Sequence, residues 1–375
     1  MKLASVQKIK DIQIIPTADA IVKATVIGWE CVVAVKDQFH TGDLVVYVEV
    51  DSIMPDKPEF EFLRERKFRI KTIKLRGQVS QGIVFPLSIL PKGKYEEGQD
   101  VTELLGVRKY DPEGEKEQAL LNQKAEQTNS RIQRFLFKNK WYRKLWAKMF
   151  GKKEKGWPDF IHKTDEERIQ TLTQIEARLL LADGSGLDKL SATEKLDGQS
   201  VTYFMFKKPK HQFFGYTWGT DYEFGVCSRN IRLRKQDNSS YWQMAIKYDI
   251  ENVLRKLMVK CSQFIAIQGE IVGEAIQDNK YHVKGRELYA FNYIVDGVRR
   301  NYMPMEWIMA QNGIKCVPFI DIVELKPVGE MVEYSKGKSI LWPDTPREGI
   351  VFRAEHNPEV SFKVINPDFL LKYGL

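Results

Sequence analysis

The stretch Ser191 to Ser200 alternates in character and then breaks at Gly198. A period of two is a strand signal, and it sets Lys195 and Asp197 on one face at the strand's end. Gly198 lets the chain turn tightly and lets a ligand or a second backbone come close. Any fold of this chain must therefore carry the segment as a strand running into a turn, with an amine and a carboxylate delivered together. A lysine so placed becomes a nucleophile when desolvation or a nearby cation removes its proton. Lys-x-Asp-Gly also arises by chance in roughly one chain in ten of this length at average composition. It would then be a surface ion pair before a hairpin, so the rest of the chain decides its meaning.

Residues 1–107 are rich in β-branched runs. Ala20 to Ile27 and Glu30 to Val35 flank Gly28-Trp29 as in a hairpin, and Thr41-Gly42-Asp43 turns into a strand from Leu44 to Val50. Phe68 to Leu75 alternates, with Arg69, Lys71 and Lys74 expected in solvent, before Gly77, Gly82 and the strand Ile83 to Pro86. Five or six short strands at this spacing suit a small closed barrel such as an OB-fold, a scaffold that can grip single strands on a basic, aromatic face. Residues 108–159 form a linker, broken first at Asp111-Pro112-Glu113-Gly114. From Arg131 to Trp157 ten Lys/Arg stand against the single acid Glu154, with Ile132, Phe135, Leu136, Tyr142, Leu145, Trp146 and Met149 at helical spacing. Such a basic amphipathic helix (131–155) packs one face on the protein, tracks a phosphate backbone or lies on a membrane surface.

Residues 160–375 mix both periods, so the chain as a whole is α+β. Thr164 with Glu167 is a capping box and predicts a helix running to about Leu181, with Asp183-Gly184-Ser185-Gly186 as its exit. His162 is expected only to mark that boundary. Strands are expected at Val201 to Phe206, Phe264 to Gly273, Leu288 to Asp296 and Val360 to Asn366, and helices at Tyr241 to Lys260 and Met305 to Asn312. The formal net charge of +8 favours a polyanionic partner. Cys31, Cys227, Cys261 and Cys316 lie far apart with no C-x-x-C pair, which suits a reducing, intracellular compartment rather than a disulfide framework or zinc site. The first residues hold no signal-peptide core, and no apolar run reaches membrane-spanning length, so no membrane partner is expected.

One ordered set links these pieces: Lys195 and Asp197, then Gln268-Gly269-Glu270, the aromatic strand with Phe291, Glu348-Gly349-Ile350-Val351, and Phe362-Lys363. Each is weak alone, but the order resembles the covalent nucleotidyltransferase superfamily of ligases and capping enzymes. DNA ligases and capping enzymes carry their OB domain after the last of these motifs, whereas only twelve residues follow Lys363 here and the barrel comes first. That order, together with Lys163-Thr164-Asp165-Glu166, Arg168-Ile169-Gln170 and Ser228-Arg229-Asn230, resembles the Naegleria-type RNA ligases, relatives of the phage RNA ligase 2 group. One departure stands out: Ser361 occupies a position where the superfamily usually has a second lysine, two residues before Lys363.

The resemblance implies an N-terminal OB-like barrel (1–107), the linker (108–159) and a nucleotidyltransferase domain of antiparallel sheets with flanking helices (160–375). It implies an ATP-dependent RNA ligase, acting through a lysyl-AMP intermediate on Lys195 and an adenylylated RNA 5′ end. Asp197, Glu270 and Glu348 would hold Mg²⁺ or Mn²⁺, in part through water. Glu194, Arg168, Arg229, Glu270, Phe291 and Lys363 would contact the nucleotide, Phe291 by stacking on adenine. The barrel would orient pyrophosphate or grip RNA. RNA and ATP are the implied partners, and a monomer is expected. Two rival readings are a GTP-dependent capping guanylyltransferase, which shares the covalent lysine, and a non-catalytic OB-type nucleic-acid binder.

Overall fold

The computed structural model describes residues 2–111, 157–171, 189–213, 216–233, 238–258 and 262–375. The basic segment 131–155 and the end of the predicted 164–181 helix lie outside the described residues.

The N-terminal strands are β1 (Ala4–Ile14), β2 (Ile21–Val26), β3 (Trp29–Ala34), β4 (Leu44–Val48), β5 (Ser52–Ile53), β6 (Ile73–Leu75), β7 (Gln78–Ser80), β8 (Ile83–Pro86) and β9 (Arg108–Lys109). Five form a curled antiparallel sheet ordered β3-β2-β1-β4-β8. The expected closed barrel is completed less regularly. Gln81 N–H donates to Glu30 O at 2.8 Å, and Val32 N–H donates to Ser80 Oγ at 2.9 Å, across the gap between β3 and β8. Trp29 and Tyr47 are fully buried at its centre, with ring centroids 6.1 Å apart. β9 pairs with β5, so this body reaches two residues past 107. The predicted strand Phe68 to Leu75 is shorter, because Lys67 and Phe68 take positive φ and only Ile73–Leu75 is extended. Arg69 is buried rather than solvated: Asp51 Oδ1 accepts its Nη2 at 2.7 Å, and Tyr110 covers its guanidinium.

The second body has two sheets. One is ordered β10-β20-β19-β11-β18, from β10 (Glu167–Arg168), β11 (Lys189–Lys195), β18 (Phe319–Glu324), β19 (Gly349–Ala354) and β20 (Ser361–Ile365). The other runs β13-β12-β14-β15-β16, from β12 (Gln199–Phe213), β13 (Tyr216–Cys227), β14 (Phe264–Gly273), β15 (Arg286–Val295) and β16 (Val298–Arg299), with β17 (Lys315–Cys316) also pairing β15. Helices Ser240–Lys247, Ile250–Leu257 and Tyr302–Gln311 cover one face of this second sheet.

Two predicted helices differ. The capping box at Thr164 does not itself start a helix: the Thr164 hydroxyl bonds Ser200 Oγ at 2.8 Å, residues 167–168 join β20 as a parallel strand, and only a 3-10 turn, Ile169–Thr171, follows in the described residues. Parallel pairing satisfies the backbone groups that a helix would otherwise have used. The helix Tyr241 to Lys260 is broken, because Asp249 takes a left-handed φ of 49° between two eight-residue helices.

The link between the sheets is the turn Leu196-Asp197-Gly198, which joins β11 to β12. A Cβ at Gly198 would stand 2.4 Å from Ile271 O and 2.9 Å from Glu270 Cγ, so β14 lies hard against the turn. Gly349, which pairs with Lys195 across β11 and β19, is as crowded: its Cβ would stand 2.3 Å from Val364 O. Gly349→Ala is expected to cost about 1–3 kcal/mol of stability by overpacking, measured by urea unfolding. Gly329→Ala, in the helix Val328–Ser335 where a Cβ meets open space, should be neutral or mildly stabilising.

Candidate active site

Strand register decides which side chains meet. Thr193, Val351, Lys363 and Arg168 form one row across β11, β19, β20 and β10, and Lys195, Gly349 and Ile365 form the next row of the same face. Alternation therefore sets Lys195, Lys363, Ser361 and Arg168 on one face of the sheet. The opposite face is apolar core: Ala192, Ile350, Phe352, Phe362 and Val364. Glu194 belongs to that opposite face. Its buried carboxylate accepts the Ile340 N–H at 2.8 Å and so pins the loop before β19 instead of lying beside Lys195.

Lys195 Nζ donates to Glu348 Oε1 at 2.6 Å. Burial pushes the Lys195 ammonium down, but Glu348, Glu270 and Asp197 outweigh it, and the net shift is upward. Burial pushes the Glu348 carboxyl up, against the pull of Lys195. Glu270 reaches the same point from the other sheet, where it pairs with Ser200 at the start of β12. The protein alone thus holds its lysine charged. A divalent cation among these acids would reverse that balance.

The acids suit such a cation through water. Glu348 Oε2 is buried without a hydrogen-bond partner among the described residues, the kind of orphaned acceptor that a hydrated ion satisfies. No three acidic, histidine or cysteine side chains among the described residues come close enough to hold an ion directly. Mg²⁺ and its like keep several waters and tolerate carboxylates at one remove.

A second cluster lies on the same sheet face, toward the OB body. Asp165 takes Lys109 at 2.9 Å, Arg229 at 3.0 Å and Lys363 at 3.4 Å. Although burial pushes the Asp165 carboxyl up, Lys363, Arg229 and Lys109 hold it well below the usual carboxylate range. Burial brings the Lys363 ammonium down to about 8, resisted by Asp165 and aided by Arg168, Lys195 and Arg229. Arg168 turns to the OB body, where Asp51 Oδ2 accepts its Nη2 at 3.0 Å and Trp29 lies under its guanidinium. Glu49 of the OB body sits among these cations, and burial pushes it up to about 7 while Arg168, Lys363 and Lys109 pull it down. Ser361, in place of a second lysine, bonds Glu166 and accepts Arg299 Nη1 at 3.1 Å, so an arginine from β16 brings positive charge to that position.

Phe291 is placed by a β-bulge. Gln268 pairs with Asn292 and Gly269 with Ala290, which leaves Phe291 as the extra residue on β15. Bulges re-aim side chains beside active sites. Phe291 packs half-buried against the cluster of Leu196, Val272 and Tyr281, next to the Lys195 turn. The structure thus brings Lys195, Asp197, Glu270, Glu348 and Phe291 around one turn, with Lys363 and Arg229 in the adjoining cation cluster. Arg168 reaches that cluster from its outer edge, and the Glu194 carboxylate stays apart. Sequence reasoning did not single out Asp165, Glu49, Arg299, Lys280 or Tyr281. Only Asp165 carried a signal, as part of the Lys163–Glu166 run.

An N-terminal OB body joined to two sheets that set a lysine among three carboxylates defines a nucleotidyltransferase of the ligase type. A family model for an OB-fold domain matches residues 3–87, and one for RNA ligase matches residues 188–365. No curated protein matches. Among solved structures, Naegleria gruberi RNA ligase with pyrophosphate is similar, with 30% identity, TM-score 0.75 and coverage of 100% of this chain and 99% of that one. An unliganded variant of the same enzyme gives 29% identity and TM-score 0.75 over 100% and 98% of the two chains. A lysine-to-alanine variant with ATP and Mn gives 29% identity and TM-score 0.74 over 98% of each. The chain belongs to the RNA ligases of the Naegleria type. Neither a capping guanylyltransferase nor a non-catalytic binder is favoured.

The lowered Lys363 ammonium has a measurable sign. Its folded value, about 8, lies below the ordinary 10.5, so between these pH values the folded protein binds fewer protons than the unfolded chain. This lysine's contribution therefore makes stability rise from pH 8 to 10.5, and the gain is lost as pH falls back through 8. Urea unfolding across that range should show a shallower rise in Lys363→Met than in the wild type.

Proposed function

We propose that this chain is an ATP-dependent RNA ligase that seals RNA 3′-hydroxyl and 5′-phosphate ends in repair or nick joining. The observation that carries the reading is Lys195, held at the meeting of two sheets by Glu348 at 2.6 Å with Glu270 and Asp197 beside it. The full-length likeness to Naegleria RNA ligase bound to ATP and Mn, or to pyrophosphate, supports the same substrate and leaving group.

In the first step the Lys195 amine attacks the α-phosphorus of ATP. A P–N bond forms, the bond to pyrophosphate breaks, and the lysine proton leaves. A free lysine titrates near 10.4, so the site must make that proton easy to lose. Mn²⁺ or Mg²⁺ held by Asp197, Glu270 and Glu348 through water would favour the neutral amine and offset charge on the α-phosphate. Lys363, tethered by Asp165, adds positive charge on the same face below about pH 8. Phe291 stacks on adenine, and Arg229 contacts the ribose or phosphates. Arg168 acts from the OB edge of the site, where it holds that body in place for the departing pyrophosphate. AMP then passes from Lys195 to the RNA 5′-phosphate, and the 3′-hydroxyl displaces it to close the strand.

The substrate end is read as a break in RNA, worked on by a monomer in a reducing, intracellular compartment. Cys31, Cys227 and Cys316 are all free thiols, which supports the compartment. Sedimentation with and without RNA tests the monomer.

With α-labelled ATP and Mn²⁺ the wild type should form a protein-AMP adduct, and α-labelled GTP should not. Lys195→Ala should form none, and an undiminished adduct in that variant would sink the assignment. Phe291→Ala should raise KM for ATP by roughly tenfold, the loss of about 1.4 kcal/mol of stacking, with a smaller change in kcat. Nicked RNA duplexes scored for sealing complete the test.

A further inference from the structure

Two consecutive residues outside the nucleotidyltransferase motifs end on Asp197. Lys280 Nζ lies 2.5 Å from Asp197 Oδ2 and donates to Gln277 O at 3.0 Å, with only 6% of its side chain exposed. The rings of Tyr373 and Phe369, from the C-terminal helix Pro367–Tyr373, stand 5.1 and 5.8 Å from the ammonium. The Asp197 N–H donates to the buried Tyr281 hydroxyl oxygen at 2.7 Å. Asp197, two residues after Lys195, is thus held at both its backbone and its carboxylate.

The backbone that delivers this pair is strained. Ala275, Gln277, Asp278, Asn279 and His282 all take positive φ, between 43° and 62°, with no glycine among them. Non-glycine residues persist in that region only where the surroundings over-determine them, and such runs cluster at functional sites. The strain here serves a turn whose two central side chains both meet Asp197.

Charge gives the arrangement its meaning. Asp197, Glu270 and Glu348 bring three negative charges to one place, and Lys195 cancels one. Lys280 cancels another without facing the reacting amine's own partner, Glu348. Like charges this close repel strongly when buried. We propose that Lys280 is a positioning residue for lysine adenylylation. Its ammonium fixes the Asp197 carboxylate at the edge of the nucleophile's site and keeps the three acids assembled before a divalent cation arrives. The inference rests on the ligase reading above.

The test compares full-length Lys280→Met and Lys280→Arg with the wild type. Mn²⁺ binding to the nucleotide-free protein is followed by electron paramagnetic resonance, the adenylylation rate by label, and folding by thermal melting. Removing the positive charge should tighten Mn²⁺ binding by roughly three- to tenfold, as expected of one unit charge near a divalent ion. The same variant should lose at least about tenfold in rate at saturating ATP and Mn²⁺. Lys280→Arg should keep wild-type Mn²⁺ affinity and recover most of the rate. Unchanged or weakened Mn²⁺ binding in Lys280→Met, or equal rate losses in both variants that follow their melting temperatures, would reduce the pair to a core ion pair and overturn the proposal. If Lys280→Met does not fold, Lys280→Gln serves. It also removes the charge, so its Mn²⁺ binding should tighten and its rate fall as for Lys280→Met, and a wild-type rate would overturn the proposal. A wild type that forms no adduct would overturn the ligase reading and this proposal with it, whereas a wild type that forms the adduct beside a Lys280→Met of equal rate would overturn the proposal alone.

Discussion

The turn at Gly198 has no room for a side chain, and the active site depends on that lack of room. One sheet ends at Lys195 and the next begins at Gln199, with Ile271 O and Glu270 Cγ pressed where a Cβ would stand. That contact is what makes Glu270, a residue of the second sheet, a neighbour of Lys195. Glu348 arrives by a different route: it precedes Gly349, the residue paired with Lys195, so strand register alone brings it to 2.6 Å. Two close approaches through glycine, one between sheets and one within a sheet, converge on a single amine.

The electrostatics follow from this geometry. Three acids around one half-buried lysine hold it protonated, so the resting protein keeps its nucleophile quiet until the charge around it changes. Beside them, Asp165 gathers Lys109, Arg229 and Lys363. The site is thus divided into an acidic side that suits a hydrated cation and a basic side that suits phosphate. Burial strengthens the acidic side, where water screens Lys195 and Glu348 little, whereas the Asp165 cluster stays open to solvent.

Much of this was legible in the sequence because it is written in local patterns. Alternation ending in glycine marked the Lys195 turn, and acids followed by glycine marked Glu270 and Glu348 at the edges of strands. Long-range partners were not legible. Asp165 and Lys280 gain their roles from residues 56 to 198 positions away in the chain, and no periodicity records that. The same cause explains the misread elements. Thr164 has the chemistry of a helix cap, yet Ser200 takes its hydroxyl and β20 takes the strand that follows. Arg69 has the pattern of a solvated strand residue, yet Asp51 and Tyr110 bury it. In each case a tertiary partner outweighed a local preference.

The contacts between the OB body and the transferase body are mostly polar. Arg168 meets Asp51, Lys109 meets Asp165, Asn230 meets Asp111, and Lys71 donates to Gly374 O. Water and dissolved ions can take over every one of these bonds, whereas the buried cores of the two bodies can find no such substitute. Parting the bodies therefore exposes mainly charge, together with Trp29 beneath Arg168, and the polar part of the seam is a solvent-exchangeable joint. Ionic strength acts directly on that joint, so salt loosens the grip of one body on the other long before it touches the fold of either.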